Sequence, residues 1–337
     1  MKMNLEQIRG FVEIAQLGHF TRAAERLHLA QPSLSRQIST LEADLGVELL
    51  HRVRGNVALT PAGERLLPIA RRMLADAETA RHEMTDLAEL RRGRIRLGAT
   101  PTLCTSLVAD VLAAFRDRYP GIEIEILERG SRSLIAALVE GALDLALIVT
   151  SVSSGAARAV LEREQILSER LVVVSDPTRP DPFGRDETGS EDPDRPVELE
   201  ELARVPQVVF PENYDLRVTV DAAFRARGVT PLVAVEGAEM DAALSFAGRG
   251  IGVAVVPAMV AADRPMLRTA PLADAALSRT VSIARRVDMA PTRACAALQA
   301  VIREVADRVT APGAELSNLV TRVGGAAEAR SAAPRPA

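Results

Sequence analysis

In the run QPSLSRQIST, Arg36 is flanked by Ser33, Ser35, Gln37 and Thr40, and no carboxylate occurs between Glu25 and Glu42. Such side chains offer hydrogen-bond donors and acceptors without negative charge. On a helix beginning at Pro32, the side chains of Ser33, Arg36, Gln37 and Thr40 share the face opposite Leu34, Ile38 and Leu41. That face suits a polyanion. Hydroxyls and amides donate to phosphate oxygens and base edges, and an arginine fork pairs with guanine, whereas a carboxylate would be repelled by the phosphates. Taken alone, a helix pair with a neutral solvent face explains the run equally well.

The elements around the run remove that balance. Leu5, Ile8, Phe11, Val12 and Ala15 recur at helical spacing before Gly18, and Phe20, Ala23, Ala24 and Leu27 make a second short helix. Residues 28–31 read as a turn, Pro32 opens the third helix, and Gly46 stops it. LLHRVRGNVALT then alternates around RGN as a hairpin carrying Arg52 and Arg54, and a basic tip fits the negative potential of a narrow minor groove. Arg22 and Arg26 are placed to meet phosphates. Thr60 and Pro61 start a long helix in which Leu66, Ala70, Met73, Ala77, Ala80, Met84 and Leu87 alternate at steps of four and three. So regular a seam favours self-association over the alternative of a helix packed on its own domain, with a kink expected at Pro68. A helix–turn–helix, a basic wing and a pairing helix together point to duplex DNA.

Beyond Arg91–Arg94 the pattern turns to alternating strands and helices. Strands are expected at Ile95–Ala99, Ile122–Leu127 and Leu143–Val149, with helices at Ser106–Arg118 and Leu134–Glu140, a parallel α/β unit. A second unit has strands near Leu171–Ser175, Gln207–Phe210, Leu232–Glu236 and Val253–Val256, and helices near Leu216–Arg227 and Glu239–Ala247. Val281–Ala284 and the helix Thr292–Arg308 return to the first unit. The acidic, proline-rich insertion 176–197 and the tail 312–337 are expected to be disordered.

Strand ends running into helix starts suit a small ligand, here Thr100 and Thr102, then Gly130 and Ser131, then Thr150. Phe210, Pro211 and Asn213 are candidates across the cleft. The alternative for the hydroxyls is that they only cap helices. Catalysis has little to work with. All four His precede the α/β region, so no catalytic residue and no metal site is expected, and GRGIGVAVVP matches no phosphate loop. A net charge of -4 excludes a globally polybasic protein, and 3% aromatics argue against single-strand stacking. Two Cys exclude a disulfide scaffold, although Cys104 and Cys295 leave open a thiol redox sensor. With no signal-like N-terminus or spanning apolar run, the expected location is the cytoplasm, with no membrane partner.

The stretches FVEIAQLGHFTRAAERLHLAQPSLSRQISTLEADLGVELLHR and VALTPAGERLL closely resemble the LysR-type transcriptional regulators, and RIRLGAT, GALDLALI and GRGIGVAVVP extend the resemblance more loosely to about Arg308. It implies an α+β multidomain chain: a winged helix–turn–helix (1–60), a linker helix (61–90) and an effector domain (91–310) similar to periplasmic binding proteins. Its first subdomain is expected at about 91–165 and 268–310, and its second at about 166–267. The resemblance implies that Gln31, Pro32, Ser33, Ser35, Arg36 and Gln37 form the recognition helix, with Arg52 and Arg54 in the wing. It implies operator DNA, homodimers or homotetramers, and a small-molecule effector in place of any cofactor. RNA polymerase is a further candidate partner. The long acidic insertion, and Leu50 where an aromatic is common, depart from the family pattern. The alternative is a small-molecule binding module without DNA regulation.

Overall fold

The structure, a computed structural model, describes residues 3–53, 56–86, 93–150, 160–185, 195–212, 214–314 and 316–323. Asn4 opens α1 (Leu5–Leu17) with a reciprocal cap: its Oδ1 accepts from the Gln7 amide and Gln7 Oε1 accepts from the Asn4 amide, each at 2.9 Å. Gly18 ends the helix in the left-handed region, at φ 65°. Next come α2 (Phe20–Arg26) and α3 (Gln31–Leu45), the latter starting one residue ahead of the expected Pro32. Ile8, Phe11, Ile14, Ala23, Leu34 and Leu41 are wholly buried between the three helices. At Gly10 the crossing is close enough that a Cβ would stand 2.7 Å from Leu34 Cδ1.

The wing is the antiparallel pair β1 (Leu50–Val53) and β2 (Asn56–Leu59). Glu42, the first acid after the acid-free run, anchors the approach to the wing. Its Oε1 accepts from the Leu49 amide at 2.8 Å and the Leu50 amide at 3.3 Å. Thr60 caps α4 (Pro61–Asp86) by accepting from the Gly63 amide at 3.0 Å. The helix is continuous through Pro68. A corrected point is the pairing seam. Ala70 is fully buried in the N-terminal core and Leu66 packs on that core, so both serve this chain's own α1 contact. Met73 and Ala77 are half-buried and Ala80 is exposed; Met84 is placed by backbone only, and Leu87 lies outside the described residues. Further along, α4 docks on the C-terminal part through Arg71–Glu140 (2.8 Å) and Asp76–Arg286 (2.9 Å).

The C-terminal part has two lobes. In the first, β3 (Gly93–Ala99) lies between β4 (Ile122–Glu128) and β5 (Leu145–Thr150), all parallel. Its helices are α5 (Pro101–Cys104), α6 (Leu107–Arg118) and α7 (Ser131–Val139). The sequence reading missed that β6 (Leu161–Ser175) is fifteen residues long and runs through both lobes. In the second lobe are α8 (Leu199–Leu202), β7 (Gln207–Val209), α9 (Asp215–Arg227), β8 (Val233–Glu236) and α10 (Met240–Ala247). They are followed by β9 (Ala254–Pro257), α11 (Ala258–Ala262) and β10 (Arg268–Pro271). Then β11 (Ser278–Arg286) leads back beside β5, and α12 (Arg293–Val309) covers the first lobe's sheet.

Three expectations change. β10 pairs with Val172–Ser175 and so belongs with the second lobe, not the first. The described parts of the insertion are ordered by charge pairing: Asp181 and Arg185 are buried together, with Arg185 Nη2 2.7 Å from Asp181 Oδ2. The tail also carries a strand, β12 (Val320–Arg322), on the edge of β6. Its β-branched Val320 is buried, which sets this segment apart from the Ala/Gly/Pro composition of the rest of the tail.

Candidate nucleic-acid interface and ligand cleft

Amphipathic spacing turns Ser33, Arg36 and Thr40 outward on α3, all exposed, while Leu34, Ile38 and Leu41 face the core. Pro32 is exposed, and Gln31 and Ser35 are half-buried. No side chain caps the start of α3 and its first turn holds no acid, so the positive end of the helix dipole is open to an anion. Two details differ from the sequence reading. Thr40 Oγ1 donates to the Arg36 carbonyl at 2.9 Å, so its hydrogen is committed to the helix, leaving its lone pairs and methyl for a partner. Gln37 leans on α1 with its Oε1 enclosed near Gly10, only partly on the outward face. Arg22 and Arg26 are exposed on α2, Arg26 only loosely held by Glu13 at 3.5 Å. Arg52 lies in β1 by its backbone, and Arg54 lies outside the described residues.

Between the lobes, Thr100, Thr102 and Ser131 are buried. Thr100 and Thr102 bring their hydroxyls to 3.4 Å, and Ser131 Oγ accepts from the Val149 amide at 3.1 Å, fixing the start of α7 to β5. Gly130 is the exposed N-cap of α7, and Thr150 ends β5, placed by backbone. On the far wall Pro211 is half-buried. Phe210 is corrected: it is 3% exposed and sits in the second lobe's core, stacked on Tyr214 at 5.5 Å. Asn213 lies outside the described residues.

The group that organises the cleft was not foreseen. Arg279 of β11 is buried; its Nη1 donates to Thr102 Oγ1 at 2.6 Å and its Nε to Glu169 Oε2 at 2.7 Å. Glu169 is wholly buried, and its Oε1 accepts from the Met259 amide in α11 at 2.7 Å. The pair therefore links α5 of one lobe to α11 of the other. Arg279 Nη2 is enclosed with no hydrogen-bond partner among the described residues. Tyr214 brings a hydroxyl whose pKa is pushed well up, first by burial and then by Glu239 and Glu128, with Arg279 acting the other way. In sequence, Glu169 and Arg279 are two among several charged residues of their strands, and only their opposition across β6 and β11 joins them.

Cys104 is half-buried, and burial together with Glu128 raises its thiol to about 11. It is protonated at neutral pH, which weighs against a thiolate sensor. Cys295 is buried at the start of α12. Among the described residues no His/Cys/Asp/Glu group is arranged to hold a metal, and no helix is long and apolar enough to cross a membrane.

A winged helix–turn–helix with an exposed, acid-free recognition face, joined by a long helix to a two-lobed α/β domain, defines a DNA-binding transcriptional regulator. Residues 5–64 match the bacterial regulatory helix-turn-helix protein of the lysR family, and residues 88–307 match the LysR substrate binding domain. The chain is 30% identical over 316 residues to the HTH-type transcriptional regulator IlvR of Caulobacter vibrioides, across 92% of this chain and 100% of that protein. It is 32% identical over 263 residues to the nitrogen assimilation regulatory protein nac of Escherichia coli, across 76% of this chain and 78% of that one. Full-length CbnR complexed with its target DNA superposes with a TM-score of 0.63 at 25% identity, covering 90% of this chain and 100% of CbnR. A full-length point variant of OxyR from Pseudomonas aeruginosa gives 0.68 at 26% identity, covering 90% of this chain and 95% of that one. The chain belongs to the LysR family of transcriptional regulators.

Proposed function

We propose that two copies pair along α4, each laying α3 in a major groove of operator DNA and its wing against the adjacent backbone. The exposed face of Ser33, Arg36 and Thr40 carries this reading, because it is the polar surface from which acids are missing. Ser33, Ser35, Arg36 and Gln37 read bases, while Arg22, Arg26 and the open start of α3 hold phosphates. Met73, Ala77 and Ala80 offer the pairing surface that remains after Leu66 and Ala70 are used internally.

The effector of this reading is a small cytoplasmic molecule presenting an acceptor oxygen, a carboxylate or a carbonyl. Arg279 Nη2 supports it, as a buried donor beside the Thr100 and Thr102 hydroxyls. Bound there, the molecule changes the relation of the lobes by its differential affinity for their arrangements. Gel-shift measurements with DNA from upstream of the neighbouring gene test the DNA half. Binding should be specific and should weaken steeply as salt rises; salt-independent or absent binding rejects it. Thr102→Ala tests the cleft half. Its response to the effector should fall while operator affinity stays near wild type, and a variant that loses DNA binding but still senses its ligand rejects the assignment.

A further inference from the structure

The match to the family's ligand domain ends at residue 307, and β12 lies beyond it. Its position is specific. β6 pairs with β11 along Leu161–Arg170, then with β9 along Leu171–Val174 and β10 along Val172–Ser175. The strand passes from one lobe to the other where these sets meet. β12 pairs there, with Val320 opposite Glu169, Thr321 opposite Ser168 and Arg322 opposite Leu167.

The attachment is substantial for three residues. The Arg170 amide donates to the Leu319 carbonyl at 2.8 Å and the Val323 amide to the Ile166 carbonyl at 3.1 Å. Val320 is 1% exposed within the main core. Arg322 donates to the Ile166 carbonyl and pairs with Asp307 of α12, both at 2.5 Å. On the other edge of β6, Glu169 stands opposite Arg279, which reaches Thr102. One line of neighbours thus runs Val320, Glu169, Arg279, Thr102, from the C-terminal strand to the cleft wall.

Movement of one lobe against the other must flex β6 and β11 near this line. A third strand paired at the crossing stiffens the bridge, because its ladder bonds must break before β6 can bend freely. We propose that β12 is a strap across the interlobe crossing that restrains lobe motion and holds the Glu169–Arg279 pair in place at the cleft. The strap's regulatory meaning rests on the reading that the cleft is the ligand site, but its mechanical effect does not.

Hydrogen–deuterium exchange on the full-length protein tests it, with Thr321→Pro, which removes a ladder donor, and Arg322→Ala, which removes only the side-chain ties. In Thr321→Pro the Ser168 and Arg170 amides should exchange at least about tenfold faster, and peptides covering Thr100–Ser106 and Tyr214–Val220 should follow with a severalfold gain. Arg322→Ala should show the same pattern at smaller amplitude and decides the matter if the proline variant fails to fold. Operator half-site affinity should remain within about twofold for both. No acceleration, or acceleration confined to the β6–β12 rungs with both cleft peptides at wild-type rates, overturns the proposal. A cleft that binds no ligand would leave these rates untouched, so the strap and the ligand reading fail separately.

Discussion

The outward side of α3 and the floor of the cleft are both polar, but they are assembled differently. The first comes from one run, Gln31 to Thr40, in which a helix alone brings the side chains into line. The second joins residues as far apart as Thr102 and Arg279, 177 positions along the chain. The first is exposed and its members make few contacts with one another; the second is buried and its members hold each other. An exposed face can be altered with little effect on folding, whereas a buried charged network couples recognition to stability. Substitutions on the two surfaces should therefore separate DNA affinity from stability.

The largest effect is expected at Arg279. Arg279→Ala leaves the Glu169 carboxylate buried with the Met259 amide as its one donor among the described residues, and removal of one partner from a buried pair costs about 3–5 kcal/mol. Urea unfolding should show the loss, and replacing both residues with Met and Leu should recover much of it. If the single variant is as stable as the wild type, the buried pair does not hold the lobes. On the other surface, Arg36→Ala should leave the urea midpoint unchanged and reduce specific operator affinity by roughly 1–3 kcal/mol, that of one lost bidentate base contact. Undiminished discrimination between operator and random DNA in that variant would remove Arg36 from the reading face.

The same difference decides what was legible beforehand. Helix periodicity, two left-handed glycine stops at Gly18 and Gly46, and a missing acid place α3 and its face from sequence, because each signal lies within one turn or two of its target. The α/β order of the lobes was legible for the same reason, as short apolar runs between helices. The Glu169–Arg279 pair was not, since register between β6 and β11 is set by the packing of the whole sheet. Nor was β12, whose three residues are held by the β6 edge, by the core around Val320 and by Asp307 of α12, none of them local signals in the sequence. The seam along α4 shows the intermediate case. Its four–three spacing reads as a self-association seam, but sequence does not say which apolar surface covers such a stripe. Ala70 meets α1 of the same chain.

Thr40 bears on how the recognition face makes its contacts. Its hydroxyl hydrogen already goes to the Arg36 carbonyl, so only acceptor and methyl contacts remain for DNA. Thr40→Val keeps the methyl and should cost under about 1 kcal/mol of operator affinity, less than Arg36→Ala, by competition binding. A loss equal to that of Arg36→Ala would mean that the hydroxyl turns outward and donates when DNA is bound.

The smallest effect is expected from an ion pair that contrasts with Glu169–Arg279 by lying partly in solvent. Arg303 of α12 grips Glu164 of β6 with two hydrogen bonds, at 2.8 and 2.7 Å, and both side chains are over a third exposed. The Arg303 hydrogen bond outweighs partial burial and holds the Glu164 carboxyl below its ordinary range. A carboxyl depressed in the folded state adds stability that is present above its unfolded pKa, about 4.3, and is lost as pH falls from there through the folded value. Because solvent screens such a pair, Arg303→Ala should cost only about 0.2–1 kcal/mol at pH 7. Urea midpoints of wild type and variant should converge as pH is lowered below about 4. A gap that stays constant, or widens, on acidification would show that Arg303 acts through the packing of its stem and not through Glu164.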